Sequence, residues 1–135
     1  MIDCMIVGDS IAVGVSQIRK ECRAYVKSGI NSTIWNRTYL HNLEPTRVLI
    51  ISLGANDTRQ IDTEANVRLL RNKTTATRIF WLLPSERLKP RALAAVRRVA
   101  EEFGDTVIER PTTDISGDGV HPTGVGYRKL AEKTK

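Results

Sequence analysis

Cysteine, aromatic residues and long apolar runs are all scarce in this 135-residue chain. Cys4 and Cys22 are too few to build a disulfide scaffold and lack metal-ligand spacing, so the expectation is a pair of buried thiols in a reducing compartment. Two Phe, two Trp and three Tyr are too few to make a stacking platform for single-stranded nucleic acid. No apolar stretch approaches the ~18 residues a membrane-spanning helix needs. A basic leader is also missing, and Asp3 interrupts the first apolar run, so Ile2–Val7 reads as a buried strand rather than a secretory signal. The expected location is therefore the cytoplasm or a larger assembly. Repeats, linkers and low-complexity segments are absent, which points to one domain over residues 1–135. Neither a Gly-x-Gly-x-x-Gly dinucleotide loop nor a Walker loop follows any strand, and the lipase elbow fails because Ala12 stands where its last glycine belongs. With no His/Cys/Asp cluster either, neither a metal nor a cofactor is expected.

What the chain does have is basic charge, 21 Lys and Arg against 15 Asp and Glu, for a net +6. The arginines are spread along the chain, often beside Glu, so nucleic acid is not the expected partner. An anionic ester or acidic glycan remains a candidate.

Short β-branched runs alternate with longer amphipathic stretches, the pattern of a parallel sheet covered by helices. Strands are expected at Ile2–Val7, Arg23–Val26, Arg47–Leu53, Arg78–Leu83 and Thr106–Ile108. The third and fourth are continuously apolar, as central strands covered on both faces must be. A first helix follows from Ile11, Val15 and Ile18 on one face. A second runs from a Ser32 cap to Leu43, and a third from an Asp62 cap with Ala65 and Leu69 inward. The fourth opens at Pro90, carries the stripe Leu93, Val96, Ala100 and Phe103, and stops at Gly104. A fifth starts at Pro122 and uses Tyr127, Leu130 and Ala131. This is an α/β protein with an open, doubly wound sheet, whose ligands bind beyond the carboxyl ends of the strands.

At that edge the sequence places Gly8-Asp9-Ser10, then Gly29, then Gly54-Ala55-Asn56-Asp57, then Asp118-Gly119-Val120-His121-Pro122. Each segment alone reads as a turn or helix cap. Together they hold what a serine nucleophile needs: Ser10 itself, His121 as base, Asp118 to orient the base, and the N–H groups of Ser10 and Gly29 with the Asn56 amide as oxyanion donors. Asp114 is a second carboxylate that could orient His121. Asp9 and Asp57 read as braces for loops and helix ends.

This ordered set resembles the SGNH hydrolase superfamily, also called GDSL esterases, which is named for a Ser, Gly, Asn and His in four separate blocks. The blocks span residues 8 to 122. Ile11 stands where a leucine is usual, the chain is shorter than typical members, and no segment is long enough for a lid. The resemblance implies a flavodoxin-like three-layer α/β/α fold with a five-stranded parallel sheet, and ester hydrolysis through an acyl-enzyme. Without a lid, a short acyl group such as acetyl on a carbohydrate or cell-wall polymer is expected. Rival readings are a thioesterase or lysophospholipase on the same scaffold, and a non-catalytic glycan-binding module of a larger assembly. Arg59, Arg87, Lys89 and Arg110 follow strands and are expected near the site, with Arg59 a candidate for substrate binding. Oligomeric state is left open.

Overall fold

The computed structural model describes residues 1–135. Its strands are β1 (Ile2–Gly8), β2 (Arg23–Val26), β3 (Thr46–Ser52), β4 (Arg78–Leu82) and β5 (Thr106–Ile108). Its α-helices are α1 (Ser10–Ile18), α2 (Ser32–Tyr39), α3 (Thr63–Lys73), α4 (Pro90–Phe103) and α5 (Gly124–Lys133). The strands form one parallel sheet in the order β2-β1-β3-β4-β5.

Side chains alternate across a strand, so each strand feeds two cores. Met5, Val7, Leu49, Ile51, Ile79 and Trp81 face one way, onto Trp35 of α2, Val67 and Leu70 of α3, and Val96 and Val99 of α4. Cys4, Ile6, Ile50, Phe80 and Leu82 face the other way, onto Ile11 and Val15 of α1 and Leu130 and Ala131 of α5. The result is the three-layer α/β/α sandwich that the family resemblance implies. Each fully buried aliphatic side chain contributes about 1.5–3 kcal/mol.

Gly8 ends β1 at φ +132°, and a Cβ there would stand 1.8 Å from the Ser52 carbonyl oxygen. Only glycine lets β1 approach β3 at the point where the chain turns into α1. That approach is closed by the Asp9 N–H, which donates to the Ser52 carbonyl at 3.0 Å.

Several expectations need correction. Cys4 and Cys22 are joined in a disulfide rather than carried as free thiols. Their spacing in sequence gave no sign of this, because α1 and the turn after it bring Cys22 back beside β1. The inward face of α3 is Thr63, Val67 and Leu70, while Leu69 is 51% exposed. Both sets have helical spacing; the Thr63 hydroxyl, which donates to the buried Asp57 carboxylate at 2.7 Å, fixes which one turns inward. On α1, Ile11 and Val15 are buried but Ile18, in the last turn, lies 43% exposed. Asn31 rather than Ser32 caps α2, accepting from the Ile34 N–H, and a 3-10 turn at Leu40–Asn42 replaces the expected last helical turn. Thr123 caps α5, so that helix begins two residues after Pro122.

Candidate active site

The first question at the carboxyl edge is whether Ser10 is merely a helix cap. It is not, because Asp9 holds that role. Asp9 Oδ1 accepts the Ile11 N–H at 3.1 Å and the Ser52 hydroxyl at 2.8 Å. The Ser10 side chain is thereby left free at the N-terminus of α1.

Ser10 Oγ lies 2.9 Å from His121 Nε2, across 111 residues of sequence. His121 Nδ1 lies 2.7 Å from Asp118 Oδ2. The other Asp118 oxygen accepts the Ser116 hydroxyl at 2.8 Å, the Val120 N–H at 2.9 Å and the His121 N–H at 3.0 Å. These bonds, the imidazole's first among them, hold the Asp118 carboxyl well below the usual carboxylate range. An ionised carboxylate only accepts, so the imidazole carries its proton on Nδ1 and offers Nε2 as acceptor to the Ser10 hydroxyl. A hydroxyl, an imidazole and a carboxylate thus stand in one hydrogen-bonded line. Asp114, the alternative orienting acid, accepts from Lys129 Nζ at 2.6 Å and has no bond to His121.

The expected oxyanion donors stand at the start of α1, for Ser10, and on the loops after β2 and β3, for Gly29 and Asn56. The N–H groups of Ser10 and Gly29 donate to no acceptor in the protein. Asn56 Nδ2 donates to the Ile30 carbonyl at 3.0 Å, which ties the amide to the Gly29 loop and leaves its second N–H without a protein acceptor. The neighbouring Asp57, 5% exposed, accepts from the Ser32 N–H and from the hydroxyls of Ser32 and Thr63. Asp57 therefore pins the loops after β2 and β3 to each other.

The four candidate cations separate. Arg87 and Arg110 line a cavity next to the His121 loop. Lys89 Nζ turns back to the Asp57 carbonyl at 3.1 Å. Arg59 is exposed and outside the cavity. Sequence reasoning missed Ser116 and Ser52, whose hydroxyls support Asp118 and Asp9. The position of Ser116, two residues before Asp118, was a signal that could have found it.

Among solved structures, a Bacteroides uniformis protein named as a GDSL-like lipase superposes with a TM-score of 0.72 at 15% identity, covering 98% of this chain and 93% of its own. A Bacteroides fragilis protein named as an acylhydrolase gives 0.71 at 14% identity, with coverage of 96% and 83%. This is the SGNH hydrolase fold. The C-terminal catalytic domain of Streptococcus pneumoniae peptidoglycan O-acetyltransferase A shares it, with a TM-score of 0.65 at 14% identity and coverage of 97% and 89%. No protein-family model and no curated protein matches the chain. No helix is long and apolar enough to cross a membrane.

Proposed function

We propose that the protein is a serine esterase that hydrolyses carboxylic esters through an acyl-enzyme, with short acyl groups such as acetyl on a carbohydrate or cell-wall polymer as its substrates. The observation that carries this reading is the line Ser10 Oγ, His121 Nε2, His121 Nδ1, Asp118 Oδ2, with steps of 2.9 and 2.7 Å. The structural neighbours named as a lipase, an acylhydrolase and an O-acetyltransferase domain support the same class of chemistry.

In the first half-reaction Ser10 Oγ attacks the ester carbonyl carbon while His121 Nε2 takes the hydroxyl proton. The carbonyl electron pair moves onto oxygen, where the N–H groups of Ser10 and Gly29 and the Asn56 amide receive it. Collapse breaks the bond to the alcohol oxygen, which leaves with the proton from His121. Water repeats the sequence: its proton goes to His121, its oxygen to the acyl carbon, and Ser10 regains the proton as the acid departs. Asp118 holds the imidazole in the required tautomer and stabilises it when cationic. Its side chain is 51% exposed and that of His121 41%, so the relay is open to a bulky substrate.

The test is hydrolysis of p-nitrophenyl acetate by the wild type and by Ser10→Ala. Turnover well above the uncatalysed rate, lost in the variant, supports the reading. Equal rates in the two proteins contradict it.

A further inference from the structure

The loops after β4 and β5 enclose a cavity of about 560 Å³. Leu83 and Leu93 in its lining are buried, while Leu88 and Val120 are exposed. Gly119 and Val120, the two residues between Asp118 and His121, form part of its wall, so the cavity borders the loop that carries the relay, while Ser10, Asp118 and His121 themselves lie outside its lining.

Charge in this cavity is unevenly compensated. Arg97 pairs with Glu109 at 3.4 Å. Glu86 is exposed and makes no ion pair, and Arg87, next to it, has neither ion pair nor hydrogen bond. Arg110 is half-buried and makes a single hydrogen bond, from Nη1 to the Val120 carbonyl at 3.1 Å. It has no ion pair; the buried Asp9 carboxyl acts on it only at longer range. A guanidinium presents five N–H donors in a planar fork that fits a carboxylate, and here most of them are unused.

Direction follows from the chemistry of the relay. Gly29 and Asn56 stand on the loops after β2 and β3, whereas the cavity lies beyond β4 and β5. His121 delivers its proton to the departing alcohol, so the alcohol portion of an ester would leave on the His121 side, the side on which the cavity lies.

We propose that Arg110, assisted by Arg87, binds a carboxylate on the alcohol portion of the substrate, so that the ester is an acetylated acidic sugar or a comparable carboxylate-bearing alcohol. This rests on the esterase reading and moves anion recognition from Arg59 to the cavity. The leucines would pack on the apolar face of the same alcohol.

The probe pair is 4-acetoxybenzoate and its neutral methyl ester, each rate divided by its own hydroxide-catalysed rate. The wild type is expected to favour the charged ester by about tenfold in kcat/KM, carried by KM, as one charge-assisted pair allows. Arg110→Met and Arg87→Ala should each reduce that preference. Arg87 is exposed and unpaired, so its variant folds without a lost contact. A preference below about twofold in the wild type, or one unchanged in both variants, overturns the proposal. Turnover of the neutral ester reports separately on the esterase reading. Should that turnover be absent, calorimetric titration of 4-hydroxybenzoate still decides the anion site: binding by the wild type that Arg110→Met loses supports it, and no binding overturns it.

Discussion

Asp57 Oδ2 accepts the Ser32 hydroxyl at 2.6 Å, joining the loop after β3 to the first turn of α2. The same carboxylate takes the Ser32 N–H at 2.9 Å and the Thr63 hydroxyl at 2.7 Å, so one buried side chain ties two helix starts and two loops together. Those loops carry Gly29 and Asn56, two of the three expected oxyanion donors.

Asp57→Ala leaves those buried donors without a partner and should cost roughly 3 kcal/mol or more of stability, or about 10 °C in Tm. Thermal denaturation followed by circular dichroism measures it. A loss under about 0.5 kcal/mol would show that the carboxylate is not the tie described.

Asn56→Ala removes a proposed oxyanion donor and should lower kcat on p-nitrophenyl acetate by about a hundredfold or more, near 3 kcal/mol. It also releases the Ile30 carbonyl, worth about 1 kcal/mol of stability. Steady-state kinetics separate the two effects from each other, because the catalytic loss must appear in kcat while the protein is fully folded.

Asp9 titrates in the direction opposite to Asp118. Burial pushes its carboxyl above the ordinary 3.8, and Oδ2 has no hydrogen-bond partner. Below the ordinary value both folded and unfolded chains hold the proton, and Asp9 costs nothing. As pH rises past it the unfolded chain ionises first, so Asp9 removes stability progressively until the pH passes the raised folded value. Asn at this position keeps an acceptor for the Ile11 N–H and the Ser52 hydroxyl but cannot ionise. The Tm of Asp9→Asn relative to wild type should therefore increase as the pH rises above about 4. A difference that stays constant with pH would contradict this account of Asp9.

How much of this was legible in the sequence differs by element. β3 and β4 were readable because continuous apolar runs leave a central strand as the natural reading. Pro90 and Gly104 framed α4 through the backbone constraints of those two residues, and Gly104 does adopt the left-handed cap at φ +70°. The inward face of α3 was not readable, since Ala65 and Leu69 match helical spacing as well as Val67 and Leu70 do, and a tertiary bond from Thr63 decides between them. The order of blocks along the chain placed Ser10, Asn56 and His121 at one edge. Which carboxylate meets His121 could not be read locally: Asp114 is drawn off by Lys129, 15 residues on in α5, and sits at φ +58°. The cavity and its unpaired arginines, Arg87 and Arg110, depend on two loops meeting, which no local pattern encodes.

The disulfide was equally invisible and has its own consequence. Linking positions 18 residues apart should stabilise the fold by about 3 kcal/mol through restriction of the unfolded chain. Cys4→Ala/Cys22→Ala, or reduction, should lower Tm by roughly 10 °C while leaving ester turnover at low temperature intact. A thiol assay on the unfolded, unreduced protein should find no free cysteine; two reactive thiols would contradict the bond.

The central claim is that the Ser10 hydroxyl is the nucleophile, and reaction with a fluorophosphonate followed by peptide mass spectrometry tests it most directly. The account predicts a single adduct on Ser10 that His121→Ala abolishes. An adduct on another serine, or none on a folded protein, would contradict it.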